Sequence, residues 1–251
     1  MLILLPPSEG KTRPESGPPL DLAALDFPEL TATRELLLRT LLRVSSGSPR
    51  RAAEVLGLGP TQASALAVNA ALVDEPTARA DRVFTGVLFE AADLTTLDPA
   101  ARARADASVA IASGLFGLVR PGDLIPAYRL AGNVTLPRLG TVASRWKPTV
   151  PKAIERAADG GLVIDLRSGT YAAFGAGPAD RTASIRVLQE RDGRRSVVSH
   201  FNKATKGRIV RALLSSDLVP TGVGDLADAL TTLGWTVERD GSRLDVVVAE
   251  V

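Results

Sequence analysis

Residues 111–130, which read IASGLFGLVRPGDLIPAYRL, constrain the fold more than any other part of the chain. The segment continues an apolar run that is typical of a buried strand. Gly114 and Gly117 then allow a close approach of the backbone, and two prolines keep the residues before them out of helical geometry. We therefore predict a rigid, irregular connection. Its arginines, Arg120 and Arg129, are either solvated or form the wall of an anion-binding cleft.

Composition limits the chemistry that this chain can perform. It has 251 residues, of which 45% are hydrophobic and 23% charged, as in a globular protein with a full core. The absence of cysteine excludes disulfides and thiolate chemistry. A single histidine, His200, excludes a multi-histidine metal site, and we predict neither a metal nor a cofactor. The first apolar run is only five residues long, too short for a signal peptide or a membrane span. We therefore expect a cytoplasmic protein without membrane contact.

Strand and helix patterns alternate along the chain. Apolar runs at residues 1–5, 107–112 and 161–166 predict buried strands, and residues 81–88 predict a further strand. Residues 20–42 and 203–215 predict helices. Two Asp-Gly turns predict hairpins, one of residues 184–189 with 196–201 and one of residues 235–239 with 244–248. These features predict an α+β or mixed α/β fold, with residues 1–251 in one compact domain and helices flanking a mixed sheet.

Residues 49–73 predict two short helices on either side of LGLGP, in which Gly57 and Gly59 bracket Leu58. This pattern is typical of a helix-hairpin-helix element, whose hairpin amides face a DNA phosphate. The alternative is an ordinary corner between helices, with a glycine that caps the first one. The neighbouring Arg50 and Arg51 favour DNA.

Polar and basic side chains follow the predicted strands. The motif GKT after the first strand resembles a phosphate loop, but the glycine that such a loop needs at position 5 is Leu5. Ser8 and Lys11 still follow a strand end, where α/β proteins bind ligands. The motif DLRSGTY likewise places Asp165, Ser168 and Tyr171 after a strand. Asp165 has the alternative of pairing with a neighbouring arginine.

The segment SHFNKATKGR concentrates positive charge at the start of a predicted helix, on Lys203, Lys206 and Arg208. Cations are unfavourable at a helix N-terminus, so a fold that keeps them there often has an anion nearby. The alternative is a solvated basic face. From residue 120 to residue 152 there are also six basic residues and only one acidic residue, Asp123, which indicates a basic surface.

The chain resembles the YaaA family of peroxide-stress proteins along nearly its full length. The matching segments are MLILLPPSEGKT, VFTGVL, SGLFGLVRPGDLIPAYRL with Trp146 after it, DLRSGTY and SHFNKATKGRIVRALL. The resemblance implies a compact mixed α/β fold with a positively charged cleft and a helix-hairpin-helix element. It also implies binding to double-stranded and branched DNA, a link to DNA repair and protection against hydrogen peroxide. The chain departs from the family pattern in the loop before Lys11 and at residues 82–86, which lack the family's acidic residue.

Two hypotheses about function follow. The first is a DNA-binding protein of the peroxide stress response that holds duplex or branched DNA by its backbone, without sequence specificity. Its anion-binding residues are Lys11, Gly57, Gly59, Arg120, Arg129, Lys203, Lys206 and Arg208. The second is an enzyme that acts on a nucleotide or another phosphorylated small molecule in the same cleft. Its candidate catalytic residues are Ser8, Lys11, Asp165 and Tyr171. A closed pocket with Lys11 and Asp165 in hydrogen-bonding reach favours the enzyme, and an open groove favours DNA.

Overall fold

A mixed β-sheet is the centre of the fold in the computed structural model, which describes residues 1–191, 194–196 and 199–249. The strands are β1 (Leu2–Leu5), β2 (Ala78–Arg79), β3 (Val109–Ser113), β4 (Gly117–Val119), β5 (Leu124–Ile125), β6 (Thr135–Leu136), β7 (Gly140–Thr141), β8 (Val163–Asp165), β9 (Thr182–Arg191), β10 (Arg194–Ser196), β11 (Thr236–Asp240) and β12 (Arg243–Ala249). The main sheet has the order β11-β12-β9-β8-β1-β3-β4, and β10 pairs with β9.

Helices and short 3-10 turns connect these strands. The helices are α1 (Thr31–Ser45), α2 (Pro49–Leu56), α3 (Ser64–Ala70), α4 (Ala80–Val83), α5 (Val87–Ala92), α6 (Pro99–Ser108), α7 (Val142–Trp146), α8 (Val150–Ala158), α9 (Gly169–Ala172), α10 (Ser199–Ser215) and α11 (Val223–Thr232). In the part of the chain that the structure describes, none of them is long and apolar enough to cross a membrane.

The predicted mixed α/β fold is confirmed. Strand β1 lies in the middle of the sheet, parallel to β3 on one side and to β8 on the other. All four of its residues are fully buried, as expected for a parallel strand that is covered on both faces. Strands β9 and β12 extend the parallel part, and β4, β10 and β11 are antiparallel to their neighbours.

Both predicted hairpins are present, but one is shorter than expected. Strands β11 and β12 pair over the predicted length. Strand β10 ends at Ser196, and helix α10 begins at Ser199, so the expectation of a strand over residues 196–201 is wrong from residue 199 onward. The turn residues Asp192 and Gly193 lie outside the described residues, as does the side chain of His200.

Two other predicted elements need correction. Residues 81–88 form the end of α4, an extended residue at Phe84 and the start of α5 instead of a strand. Gly86, with φ of 95°, breaks the run, and a short apolar run does not by itself distinguish a strand from a buried helix. The helix predicted from residue 20 begins only at Thr31. Phe27 has a φ of 60° and precedes a 3-10 turn that starts with proline.

Residues 111–130 cover most of the buried hairpin of β3 and β4 and the segment that follows it. Strand β3 turns directly into β4, and a Cβ on Gly114 would lie 2.1 Å from the carbonyl oxygen of Leu130. The Trp146 indole donates a 2.9 Å hydrogen bond to the Gly114 carbonyl. Gly117 has a φ of 75° and faces the same indole ring. The segment is therefore rigid because its backbone packs directly against Trp146 and Leu130.

Candidate functional site

A first cavity lies at the carboxyl ends of β1 and β8. Its volume is about 450 Å³, and residues 6–10 after β1 line it together with residues after β8. The chain leaves β1 toward β3 on one side and leaves β8 toward β9 on the other side. Neighbouring strands whose connections run in opposite directions leave a crevice at their carboxyl ends, where open α/β sheets bind ligands. This cavity therefore occupies the expected ligand position of the fold.

Ser8 holds the loop after β1 in place. Its hydroxyl accepts a 2.9 Å hydrogen bond from the amide of Thr85 and donates a 2.5 Å hydrogen bond to the carbonyl of Gly10. Although Ser8 lines the cavity, its hydroxyl proton is already donated to the protein. No described base contacts it, so this arrangement does not activate Ser8 as a nucleophile.

Lys11 is partly buried beneath the same loop. Its ammonium group donates a 3.0 Å hydrogen bond to the carbonyl of Ser8 and lies 4.5 Å from the ring centroid of Tyr128 and 5.3 Å from that of Phe84. Burial lowers the pKa of Lys11 to about 8, although Glu9 acts in the opposite direction. Lys11 is not among the residues that line the cavity. Its described contacts fix the loop, and its predicted contact with an anion stays a prediction.

We expect Lys11→Met to remove a pH dependence of stability. The pKa of Lys11 in the folded protein, about 8, lies below the ordinary value of 10.5. Below pH 8 the charged ammonium therefore destabilises the folded state, because it is partly removed from water. This destabilisation disappears as the pH rises from 8 toward 10.5, because the folded protein loses the proton before the unfolded chain does. The wild-type free energy of unfolding should gain up to about 3 kcal/mol across this window relative to the variant. Urea titrations of both proteins at pH 7.5 and pH 10 measure the gain, and an equal difference at both pH values would contradict it.

Asp165 and Tyr171 follow β8, as predicted. The Asp165 carboxylate accepts two hydrogen bonds from the Arg167 guanidinium, of 2.9 and 2.7 Å. This is the pairing that the sequence left open as the alternative to a catalytic role. Tyr171 lines the cavity, and burial raises its pKa to about 12, so the hydroxyl is protonated at neutral pH. In the described residues Asp165 and Lys11 form no hydrogen bond with each other, so the arrangement expected for the enzyme is not formed.

Helix α10 supplies the polar wall of the cavity through Asn202, Lys203 and Lys206. The Lys206 ammonium donates a 3.4 Å hydrogen bond to the carbonyl of Leu166, and burial lowers its pKa. The Oδ1 atom of Asn202 is buried without a hydrogen-bond partner in the described residues. The sequence did not single out Asn202, because the predicted helix began one residue after it. Arg208 is exposed and does not line the cavity.

Arg120 lies at the other end of the sheet. Its guanidinium donates a 3.0 Å hydrogen bond to the carbonyl of Val109, the first residue of β3, and lies 4.9 Å from the ring centroid of Phe27. Because β3 is parallel to β1, its first residue is far from the carboxyl ends that border the cavity. Arg120 therefore lies away from this cavity, and its predicted contact with an anion stays a prediction. Its role is to join the start of β3 to the segment before α1.

Arg129 and Gly57 border a second cavity of about 690 Å³, which shares Glu9 with the first; Gly59 does not line it. Arg129 forms a 2.5 Å ion pair with Glu9 and also donates a 3.2 Å hydrogen bond to the Glu9 carbonyl. Gly57 and Gln62 lie on the lining of this cavity. The structure therefore places Arg129 and Gly57 on one cavity together with Glu9 and Glu54, and anion binding by Arg129 or Gly57 stays a prediction.

The amides of the hairpin are occupied within the protein. Gly57, with φ of 64°, ends α2 and donates to the carbonyl of Glu54, and Leu58 donates a 2.8 Å hydrogen bond to the carbonyl of Ala53. These two bonds form a Schellman cap. The Gly59 amide donates a 3.1 Å hydrogen bond to Oε1 of Gln62. Residues 57–59 thus have the geometry of the helix-capping alternative, and phosphate binding by their amides stays a prediction.

A third cavity, of about 470 Å³, is lined by three exposed arginines, Arg43, Arg51 and Arg138. Within the described ranges no carboxylate lines it, and none of these guanidinium groups forms an ion pair. It shares Val55 with the second cavity. The sequence indicated Arg51 beside the hairpin, but it did not single out Arg43, which directly follows the predicted helix of residues 20–42. Arg138 contributed only to the basic count of residues 120–152.

The described residues bring together no group of three or more acidic or histidine side chains that could hold a metal ion.

The fold and its three adjoining cavities define a mixed α/β protein with a ligand crevice at the strand ends and a basic surface beside it. The chain belongs to the family described as peroxide stress protein YaaA, whose model matches residues 1–240. A UPF0246 protein of Streptomyces coelicolor is 45% identical over 261 residues, and one of Corynebacterium efficiens is 42% identical over 255 residues; both matches cover all of each chain. An uncharacterized protein of Campylobacter jejuni is 27% identical over 208 residues, 82% of each chain.

Proposed function

We propose that this protein binds the backbone of double-stranded or branched DNA as part of the peroxide stress response. The family's description supports the role in peroxide stress. The DNA-binding part of the proposal rests on the third cavity, which is lined by three exposed arginines. Among the described residues, no carboxylate lines this cavity. Unpaired arginines repel one another, and an anion relieves that repulsion. Their planar guanidinium groups bind phosphate through two hydrogen bonds.

The proposed DNA surface is limited to the third cavity. The third cavity adjoins the second at Val55, but two carboxylates, Glu9 and Glu54, line the second cavity. Arg129, which borders the second cavity, is already ion-paired with Glu9. The three arginines of the third cavity therefore supply the cations for a strand of nucleic acid, which carries a charge at each step. The contact would hold the backbone and would not read the sequence.

We assign the main phosphate contacts to arginine side chains instead of the hairpin amides. The amides of Gly57, Leu58 and Gly59 already have acceptors within the protein. A phosphate would have to displace those acceptors, at a cost of about 1 kcal/mol for each hydrogen bond. Arg51, on the first turns of α2, reaches the same region of the surface without that cost. The helix pair is then the support for the arginines.

The triple variant Arg43→Ala, Arg51→Ala, Arg138→Ala tests the proposal. We expect its affinity for a 30-base-pair duplex at low salt to fall by about a hundredfold or more. The slope of log K against log salt concentration should become shallower by about 2.7, since each neutralised phosphate contributes about 0.9. Fluorescence anisotropy over a salt series measures both quantities. A four-way junction as second probe shows whether branched DNA depends on the same residues.

A second triple variant controls for the loss of charge. Arg82→Ala, Arg156→Ala and Arg239→Ala also remove three exposed arginines, but none of these lines any of the three cavities. We expect this protein to keep its affinity within about threefold. If both triple variants lose the same affinity, binding depends on net charge and not on this surface. If neither loses affinity, the proposed surface is wrong.

A further inference from the structure

The first cavity differs in place and lining from the cavity that carries the proposed DNA contact. It lies at the switch between β1 and β8, where the connections of neighbouring strands diverge. Its volume of about 450 Å³ falls within the range of pockets for small molecules and is far below the size of a duplex. None of the three arginines proposed to contact DNA lines it.

The walls of the cavity divide into an apolar part and a cationic part. Pro6 and Pro7 follow β1, and Val87, Leu88 and Phe89 come from α5. These side chains form an apolar surface against which a flat ring can pack. Lys203 and Lys206, which also line the cavity, lie on α10. A ligand that fits both parts combines an apolar ring with an anionic group.

Asn202 offers the ligand a hydrogen-bond acceptor, its Oδ1 atom. This atom is buried and accepts no hydrogen bond from any described residue, and the residue lines the cavity on α10, beside Lys203 in the sequence. A buried acceptor without a donor costs about 1–3 kcal/mol. A bound molecule that offers an N–H or O–H group in the cavity removes that cost. The ligand is therefore expected to carry a hydrogen-bond donor besides its ring and its anion.

We infer that this cavity binds a nucleoside monophosphate unit, with its base against residues 87–89 and its phosphate at Lys203 and Lys206. An amino group of the base or a hydroxyl of the sugar donates to Oδ1 of Asn202. The same chemical unit comes from two sources, a free nucleotide or an unstacked nucleotide of a DNA strand. This inference goes beyond the proposed DNA backbone binding and does not depend on it, because it rests on a different cavity.

Among the described residues, the cavity offers the proposed nucleoside monophosphate no catalytic group. The Ser8 hydroxyl is engaged with Thr85 and Gly10, and the Asp165 carboxylate is held by Arg167. Lys203 and Lys206 supply charge, and Tyr171 supplies a protonated hydroxyl at the wall. The structure therefore assigns these residues to recognition.

Isothermal titration with AMP, adenosine and inorganic phosphate tests the inference. We expect AMP to bind at least about tenfold more tightly than adenosine or phosphate, because only AMP meets both walls of the cavity. Lys206→Met keeps the apolar stem of the side chain and removes its charge, and it should weaken AMP about tenfold or more. Asn202→Leu should weaken AMP and leave inorganic phosphate unchanged. Arg208→Ala, an exposed cation on the same helix outside the cavity, should change AMP binding less than twofold.

A competition experiment decides whether the cavity binds free nucleotides or also nucleotides of a DNA strand. If AMP displaces a fluorescent single-stranded oligonucleotide from the wild type but not from Lys206→Met, the cavity takes nucleotides of DNA as well as free ones. If the oligonucleotide is unaffected while AMP binds, the cavity serves free nucleotides. No AMP binding, or AMP binding that Lys206→Met and Asn202→Leu leave unchanged, would overturn the inference. Those outcomes leave the test of the Arg43, Arg51 and Arg138 surface untouched.

Discussion

Replacing Arg34 by Met is expected to lower the free energy of unfolding by about 3–5 kcal/mol, the largest effect of any single change considered for this protein. Arg34 lies on α1 and is fully buried. Its guanidinium donates to the carbonyls of Phe116 and Leu118, at 3.0 and 2.8 Å, and to the carbonyl of Asp26 at 2.7 Å. Methionine fills much of the same volume but donates nothing, so three carbonyls lose their donor, and those of Phe116 and Leu118 are buried.

The size of the effect depends on the charge of Arg34 as well as on its hydrogen bonds. Burial lowers the pKa of Arg34 to about 10, while nearby Asp123 and Glu29 favour its charged form. Removing the cation leaves the buried Asp123 carboxylate without one of its compensating charges. Burial already raises the pKa of Asp123 to about 6, and in the variant it should rise further. The destabilisation should therefore be larger at pH 8 than at pH 5.

Arg39→Met is the matched control for Arg34→Met. Arg39 lies on the same helix, is exposed and has only a 3.6 Å ion pair with Glu35. Such surface pairs contribute about 0–1 kcal/mol, so the control should change stability by less than about 1 kcal/mol. Guanidinium chloride titrations at pH 5 and pH 8 measure all three proteins. A loss below 1 kcal/mol for Arg34→Met would show that water replaces its hydrogen bonds.

The sequence predicted those parts of the fold whose signals are local. Strand β1 and strand β3 are apolar runs, and burial on both faces of a parallel sheet produces such runs. The turns of both hairpins carry Asp-Gly, which favours the left-handed geometry of tight turns. Residues 81–88 carried no comparable signal. Their apolar, β-branched pattern suits a strand, but packing of α5 against α10 selects a helix there, and that contact joins residues more than 100 positions apart.

The sequence predicted the position of a site residue only where that position follows from the direction of a strand. Ser8, Tyr171 and the lysines of α10 lie at one end of the sheet because β1 and β8 are parallel. Arg120 follows a strand too, but the tight turn before Gly117 reverses the chain and carries it to the other end. That turn lacks the Asn-Gly or Asp-Gly signature by which a hairpin is recognised. Contacts made by single exposed arginines, such as Arg43 and Arg138, depend on how distant segments pack and leave no local pattern.

Replacing Gly207 by Ala is expected to lower stability by about 1–3 kcal/mol and also to weaken the nucleotide site. Gly207 lies in α10 at its closest approach to α5. A Cβ there would lie 2.3 Å from the carbonyl oxygen of Leu88, 2.8 Å from the Cβ of Ala91 and 2.9 Å from the amide of Ala92. Two of these atoms belong to the backbone, so the clash is relieved only by moving one helix away from the other. Alanine favours a helix by about 1 kcal/mol over glycine, which offsets part of the cost.

The Gly207→Ala substitution should also affect the nucleotide site, because both helices carry residues that line it. Helix α10 bears Asn202, Lys203 and Lys206, and α5 bears part of the apolar wall, so separating the helices widens the cavity between its two walls. AMP affinity should fall about tenfold, because a ring and a phosphate at fixed separation no longer meet both walls. Gly224→Ala is the control. Its Cβ would lie 3.3 Å from the end of the flexible Arg239 side chain, so the same substitution in α11 should stabilise the protein slightly and leave AMP binding unchanged. If Gly207→Ala behaves like Gly224→Ala in both thermal unfolding and AMP titration, the contact between α5 and α10 does not set the width of the cavity.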